Sequence, residues 1–197
     1  MPALTPAEWG LLVGAYFFGA VPFGLLLAKL AGVDVRAAGS GNIGATNVAR
    51  TAGKGLGIAT LALDALKGAT PVLVARLVLD AGPAVQAGAG LAAILGHVFP
   101  IYLRFKGGKG VATALGVFAA LTPAATGVAV ATFALLFALF RVVSLGSLAA
   151  ALALVGAAVY LDGRREVVAL AGLVTALVFL RHAGNIRRLV ERRENKL

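Results

Sequence analysis

Apolar blocks of about 20 residues recur along the whole chain, and no other feature constrains its fold so strongly. A helix needs about 20 apolar residues to cross roughly 30 Å of hydrocarbon. Of the 197 residues, 60% are hydrophobic, whereas soluble domains are about 45–50% apolar. The blocks lie near residues 9–30, 55–79, 84–104, 110–122, 124–140, 142–161 and 166–181. They predict an all-α integral membrane protein, a polytopic bundle of seven transmembrane helices that forms a single membrane-embedded domain over residues 1–197.

The block at 110–122 is the weakest of the seven. Val111–Leu121 is short for a full crossing, and Thr122-Pro123 ends its helical pattern because proline disfavours helix at the preceding residue. Six spans with a re-entrant segment at 110–122 are the alternative. The N-terminal residues lack the basic region of a cleavable signal peptide, so the first block is expected to be retained as a span.

Basic residues are concentrated between the blocks and in the tail. The chain has 18 Lys+Arg and 8 Asp+Glu, a formal net charge of +10. Their distribution indicates positive-inside topology and anion binding, so we expect no nucleic-acid partner. If the N-terminus is outside, the basic segments 31–54 and 104–109, Arg141 and the tail from Arg181 are cytoplasmic. The sequence therefore predicts an outside N-terminus and a cytoplasmic C-terminus.

Several kinds of chemistry are excluded by what the sequence lacks. Without cysteine, the chain has no disulfide, no thiolate nucleophile and no cysteine-bound metal. It has no paired-carboxylate site, no H-E-x-x-H or G-x-S-x-G motif, and no H-x-x-x-x-D acyltransferase signature. We therefore expect a reaction that needs little covalent help from the protein and neither metal nor cofactor.

A basic glycine segment, Lys106–Gly116, interrupts this apolar sequence. Glycines allow backbone N–H groups to converge on an anion, and the start of a helix adds a positive dipole end. Gly110 stands where a nucleotide-binding loop needs Ser or Thr, so nucleotide hydrolysis is not expected. The simpler interpretation makes the lysines ordinary membrane anchors, but it leaves the glycines unexplained. The predicted substrate-binding residues here are Lys106, Gly107, Gly108, Lys109, Gly110 and Thr113.

A polar segment, Gly39–Arg50, precedes the second block. Its glycines match the dinucleotide pattern G-x-G-x-x-G, but its neighbours are membrane helices and not a βαβ unit, so the match is spurious. Arg50 can bind a phosphate bidentately. The alternative is a polar loop with glycine turns. The candidate ligand-binding groups are Ser40, Asn42, Thr46, Asn47 and Arg50.

A tail segment, Arg181–Leu189, follows the last block. A basic stop at the membrane surface explains its arginines but calls for neither His182 nor Asn185. Histidine titrates near neutrality, and Asn185 lies on the same helical face if the helix continues. Ser144 and Ser147 open the sixth block on the same side, and Ser147 is expected to reach a bound ligand.

Three polar residues lie within the blocks. Asp64 and Lys67 are three residues apart on one face of a helix. Either they form a structural ion pair or Lys67 reaches the substrate site, and both interpretations stay open. His97 is expected to form a hydrogen bond between helices.

The three segments, in this order, resemble the three cytoplasmic motifs of the bacterial acyl-phosphate:glycerol-3-phosphate acyltransferases, the PlsY family. The resemblance covers essentially the whole chain. It implies transfer of a fatty acyl group from acyl phosphate to the 1-hydroxyl of sn-glycerol 3-phosphate, which yields lysophosphatidic acid and phosphate. That reaction is the first committed step of phospholipid synthesis, on the cytoplasmic face of the bacterial inner membrane. The implied partners are the two substrates and the bilayer, with no obligate protein partner, which fits a monomer.

The resemblance also implies roles for individual residues. Ser40 and Arg50 would bind glycerol phosphate, and the glycine loop with Lys109 would hold the donor phosphate. His182 and Asn185 would orient glycerol phosphate and its hydroxyl, with Ser147 as a further site serine. The expected catalytic residues are His182, Asn185, Lys109 and Ser40, and Lys67 is included among the substrate-binding residues. The general base is either His182 or a substrate phosphate. Ala183-Gly184 departs from the charged residues that often follow this histidine.

Two other functions fit the composition less well. A transporter of anions or phosphorylated metabolites would show inverted repeats and polar spans along a path. The sequence has no convincing repeat, and its polar segments are expected on one face. A non-catalytic lipid-binding scaffold would not need three converging polar segments.

Overall fold

Residues 3–197 are described by a computed structural model, and every regular element in that range is helical. The helices are α1 Pro6–Gly19, α2 Phe23–Leu30, α3 Ala45–Thr51, α4 Lys54–Leu77, α5 Pro83–Val98, α6 Val111–Leu121, α7 Pro123–Phe140, α8 Val143–Leu161, α9 Arg165–Arg181 and α10 Ala183–Val190, with a 3-10 turn at Ile101–Leu103. The chain divides into two compact units, one ending at Ala120 and the other beginning at Leu121.

All seven predicted blocks are helical, which confirms the all-α membrane fold. Five stretches in the described residues are long and apolar enough to cross a bilayer: Pro6–Leu30, Lys54–Leu77, Pro83–Leu103, Pro123–Phe140 and Val143–Leu161. Helix α9 qualifies only together with α10, from which it is bent by 63°. Helix α6 has 11 residues and is about 16 Å long at 1.5 Å per residue. The number of crossings and the orientation of the termini stay predictions.

The first block was predicted as a single span, but in the structure it consists of two helices, α1 and α2. Pro22 lies between α1 and α2, and proline interrupts a helix because it has no N–H to donate. The carbonyl oxygen of Val21 accepts a hydrogen bond from Lys67 Nζ at 2.7 Å. Backbone carbonyls at membrane depth need a partner inside the protein. The lysine on α4 therefore stabilises the break between α1 and α2.

Helices α1 and α5 pack backbone against backbone because each carries a glycine at the crossing. A Cβ on Gly19 would overlap the carbonyl oxygen of Ala93, and one on Gly96 would overlap that of Tyr16. The Tyr16 hydroxyl also donates to the carbonyl oxygen of Phe99 at 2.8 Å. This contact fixes the end of α5, from which the basic glycine segment continues.

Helices α4 and α6 meet in the same way. A Cβ on Gly68 would overlap the carbonyl oxygen of Thr113, and one on Gly116 would overlap that of Ala65. Small residues allow membrane helices to approach closely. The first turn of α6 is therefore held against α4.

The second unit is built around the pair α7 and α8. Their crossing places Gly146 against the ring of Phe133, where a Cβ would lie 2.9 Å from a ring carbon. Arg141 turns the chain between them with a φ of 59°. Its carbonyl oxygen accepts a hydrogen bond from the backbone N–H of Leu197 at 2.9 Å. The C-terminal residues are therefore attached to the turn between α7 and α8.

Candidate active site

The polar segment is organised by the side chain of Asn47, which is 2% exposed. Its Nδ2 donates to the carbonyl oxygens of Val35, Ala38 and Asn42 at 2.9, 3.1 and 2.9 Å. Its Oδ1 accepts a hydrogen bond from the backbone N–H of Ser40 at 2.8 Å. One buried amide thus binds two backbone groups of the segment and two of the residues just before it. Asn47 was predicted among the ligand donors, but these contacts give it a structural role.

The glycines of this segment serve its turns. Gly39 and Gly41 have φ values of 61° and 70°, a region that residues with a Cβ rarely adopt. A Cβ on Gly39 would also overlap Asn47 Oδ1. The Asn42 side chain accepts a hydrogen bond from the Gly44 N–H at 2.8 Å. The segment therefore has the glycine turns of the alternative interpretation and leads into α3, a helix that the sequence analysis did not predict.

The predicted substrate-binding side chains of the first unit differ in their exposure. Ser40, Arg50 and Lys106 are exposed, and Lys109 is half-buried. Thr113 is buried, and its Oγ1 has no hydrogen-bond partner among the described residues. The exposed hydroxyl and guanidinium are accessible to a soluble anion. The role predicted for Thr113 stays a prediction.

The basic glycine segment packs on the end of α5. The N–H of Gly107 donates to the carbonyl oxygen of Val98 at 3.2 Å. The N–H of Gly108 donates to the backbone carbonyl oxygen of His97 at 3.1 Å. A Cβ on Gly107 would overlap the His97 carbonyl oxygen, and one on Gly108 would overlap His97 Nε2. The sequence predicted that these two N–H groups face an anion. In the structure they bind carbonyls that the end of α5 leaves unpaired. Anion binding by Lys109 and the start of α6 stays a prediction.

In the first unit, the polar segment packs against the turn that leads into the basic glycine segment. Ile43 and Val48, from the polar segment, belong to one buried cluster with Ala28 and Val35. Leu103, just before the basic glycine segment, packs against the same cluster. Apolar contacts therefore hold the polar segment beside the start of the basic glycine segment. The available signal in the sequence was the presence of Ile43 and Val48, two apolar residues within the polar segment.

Asp64 and Lys67 form the ion pair that the sequence left as one of two possibilities. Lys67 Nζ lies 2.7 Å from Asp64 Oδ1, and Lys67 is 1% exposed. The same ammonium binds the Val21 carbonyl and lies 5.5 Å from the centre of the Phe23 ring. His97 Nδ1 lies 3.7 Å from Asp64 Oδ1, which is an interhelical contact too long for a hydrogen bond. Direct substrate binding by Lys67 stays a prediction, and its burial disfavours it.

The tail segment bends at His182 and does not continue as one helix. Helix α9 ends at Arg181, α10 begins at Ala183, and the two are bent by 63°. His182 and Asn185 therefore do not share one face of a continuous helix, although both are buried. His182 Nδ1 lies 2.8 Å from the Val178 carbonyl oxygen, which favours the tautomer with its proton on Nδ1.

Glu194 has a role in the second unit that sequence reasoning missed. Its Oε1 accepts hydrogen bonds from Asn185 Nδ2 at 2.5 Å and Ser144 Oγ at 2.9 Å, and its Oε2 accepts one from Arg188 Nε at 2.6 Å. Burial alone would raise the pKa of the Glu194 carboxyl, but these three donors outweigh it and hold the pKa below its ordinary value. Glu194 is one of only two acids in the basic tail, with Glu191, and that was the available signal.

Ser147 is also buried, and its Oγ donates to the Val143 carbonyl oxygen at 2.9 Å. This back-bond keeps the hydroxyl within its own helix. The second unit thus positions Asn185 through Glu194, whereas Ser147 is held by its own backbone. A ligand that accepts a hydrogen bond from Ser147 would have to displace this back-bond, because the hydroxyl has only one proton.

Comparison with known proteins decides the family. The model of the family described as glycerol-3-phosphate acyltransferase matches residues 9–192. The chain belongs to this family. The match extends through both compact units, and membership makes the chain an acyltransferase, as its motifs predicted.

Individual members of the family are similar over almost their whole length. The glycerol-3-phosphate acyltransferase of Syntrophotalea carbinolica is 50% identical over 187 residues, which cover 94% of this chain and 95% of that relative. The crystal structure of PlsY, an integral membrane glycerol 3-phosphate acyltransferase, in its glycerol 3-phosphate form has a TM-score of 0.91 at 40% identity and covers 97% of this chain and 96% of its own. The lysophosphatidic acid form of PlsY has a TM-score of 0.89 at 39% identity and covers 97% of this chain and 95% of its own. These similarities confirm the resemblance to the PlsY family.

Proposed function

We propose that the protein transfers a fatty acyl group from acyl phosphate to the 1-hydroxyl of sn-glycerol 3-phosphate. The products are lysophosphatidic acid and inorganic phosphate. The observation that carries this proposal is the packing of Leu103, just before the Lys109 loop, against apolar residues of the segment that holds Ser40 and Arg50. The first unit thus offers a lysine and an arginine for two anionic substrates. The glycerol 3-phosphate and lysophosphatidic acid forms of PlsY support the identity of the acceptor and the product.

The chemistry fits a site without a protein nucleophile. An acyl phosphate is a mixed anhydride and is already activated. The 1-hydroxyl oxygen bonds to the carbonyl carbon, the bond from that carbon to the phosphate oxygen breaks, and the hydroxyl proton passes to His182 or to a substrate phosphate. The protein then has to align two anions and stabilise charge on the carbonyl oxygen and the departing phosphate. A lysine, an arginine and neutral donors meet that requirement.

Each unit contributes predicted residues to this proposal. In the first unit, Ser40, Asn42 and Arg50 bind glycerol phosphate, while Lys109 neutralises the donor phosphate with Lys106 nearby in sequence. In the second unit, His182 and Asn185 orient the glycerol hydroxyl. We propose that the whole chain acts as one catalytic domain, that a monomer suffices, and that the site faces the cytoplasm of a bacterial inner membrane. There the reaction would be the first committed step of phospholipid synthesis.

A direct assay tests the donor. The purified protein, in detergent or lipid cubic phase, is given palmitoyl phosphate and labelled glycerol 3-phosphate without added metal or nucleotide. We expect labelled lysophosphatidic acid. The absence of product, or product from palmitoyl-CoA alone, would contradict the proposal.

Two substitutions test the cations. We expect Lys109→Ala and Arg50→Ala each to lower kcat/KM at least tenfold, which corresponds to about 1.4 kcal/mol of transition-state stabilisation. Steady-state kinetics on both substrates measure the effect. Arg36→Ala is the control, because it removes an exposed arginine that is paired with Asp34 at 3.4 Å. Wild-type kinetics in both test variants would remove these residues from the proposed site.

A further inference from the structure

A buried polar contact links the helix break in α1–α2 to the basic glycine segment. Lys67 binds the Val21 carbonyl and Asp64, and Asp64 lies 3.7 Å from His97 Nδ1. The opposite edge of the same imidazole lies against Gly108, where a Cβ would overlap Nε2. His97 is 5% exposed. One ring thus lies between a buried ion pair and the loop that carries Lys109.

Gly108 is a glycine for reasons of space and not of backbone conformation. Its φ is not in the left-handed region, unlike that of Gly110 at 86°. The residue could therefore adopt its backbone conformation with a Cβ if the His97 ring were absent. The N–H of Gly108 donates to the backbone carbonyl of His97. The ring and the carbonyl of His97 therefore both contact the loop at Gly108.

We propose that His97 is a positioning residue for the reaction. Lying beside the Asp64–Lys67 ion pair, its ring forms the wall against which Gly108 packs, and so it sets where the Lys109 ammonium stands. The ring does not touch substrate in this role. The inference rests on the proposed function of Lys109 in binding the donor phosphate.

The role predicts a specific kinetic signature. His97→Ala removes the wall but keeps every charge on the loop, so the donor phosphate is met by a misplaced lysine. We expect kcat/KM for palmitoyl phosphate to fall at least tenfold, while KM for glycerol 3-phosphate stays within about twofold, since errors of 1 Å in placement are costly in catalysis. Equal changes in the KM for both substrates would indicate general loss of structure and overturn the proposal.

A double substitution tests the contact itself. Gly108→Ala places a methyl group into the ring and should lower kcat/KM for palmitoyl phosphate at least tenfold. In the His97→Ala/Gly108→Ala double variant the ring is gone, so we expect activity no lower than that of His97→Ala alone. Two independent effects would multiply instead. Multiplied losses would overturn the proposed contact.

Controls separate folding, position and donor identity. Gly82→Ala is the matched glycine control, because no heavy atom lies within 4 Å of a Cβ there and its φ is −66°; we expect wild-type activity. Thermal unfolding in detergent checks each variant, and His97→Asn, alone and with Gly108→Ala, replaces His97→Ala if the latter does not fold. A wild-type protein inactive with palmitoyl phosphate refutes the proposed donor. An active wild type with multiplied losses refutes only the role of His97.

Discussion

At the scale of single residues, Asn47 illustrates how one buried amide determines the shape of a motif. Its four contacts involve backbone groups of the polar segment and the residues before it. We expect Asn47→Ala to destabilise the protein by about 2–4 kcal/mol, since each lost hydrogen bond is worth about 1 kcal/mol and leaves a polar group unpaired. Asn47→Asp should be worse, because a carboxylate oxygen would face three carbonyls. Thermal unfolding measures both, with the exposed Thr70→Ala as control. An unchanged midpoint for Asn47→Ala would contradict this role.

Glu194 is a second residue whose effect depends on its neighbours. Its pKa in the folded protein is lowered from the ordinary value of 4.5. The carboxylate therefore stabilises the fold fully at pH values above 4.5, and this contribution is lost as the pH falls through the lower, folded-state pKa. We expect Glu194→Gln to lower the unfolding midpoint at pH 7 and to remove part of the acid-dependent loss of stability. Unfolding curves from pH 7 to pH 3 measure the effect. Glu191→Gln, on an acid whose partners Arg187 and Arg193 are largely exposed, is the control. Identical pH profiles of stability for wild type and Glu194→Gln would contradict a stabilising role of the Glu194 carboxylate.

At the scale of elements, the break between α1 and α2 depends on the ion pair of α4. Lys67→Met would leave the Val21 carbonyl without the lysine and Asp64 without its cation. Breaking a buried pair from one side costs about 3–5 kcal/mol because an uncompensated charge stays inside. We therefore expect Lys67→Met to be strongly destabilised and the Asp64→Asn/Lys67→Met double variant to recover part of the loss. Unfolding in detergent measures the coupling. Strictly additive effects would show that the two side chains act independently.

At the scale of the whole molecule, the number of crossings can be tested directly because the chain has no cysteine. Single cysteines replace Lys54, Ala124, Arg165 and Lys196, and a membrane-impermeant maleimide is added to intact cells. With seven spans and an outside N-terminus, Ala124→Cys and Arg165→Cys react from outside, whereas Lys54→Cys and Lys196→Cys react only after permeabilisation. With α6 re-entrant, Ala124→Cys and Arg165→Cys become internal and Lys196→Cys external. The labelling pattern therefore decides between the two topologies.

Several features were determined by the sequence alone, because they depend on composition and local order. Hydrophobic blocks of span length require helices in a bilayer, where every backbone group must be satisfied internally. The polar segment, the basic glycine segment and the tail segment were recognisable because such polar clusters are rare in an apolar chain. Their order along the chain indicated the acyltransferase family, which the comparisons confirm.

The tertiary structure alone decided which polar groups interact. The contact of the His97 ring with Gly108, the binding of Val21 by Lys67 and the binding of Asn185 by Glu194 each join residues whose pairing has no local signature. The sequence could not assign the Gly107 and Gly108 N–H groups either, because their partners are carbonyls at the end of another element. Hydrogen bonds and ion pairs depend on distances of a few tenths of an ångström, and those distances are set only when the helices pack.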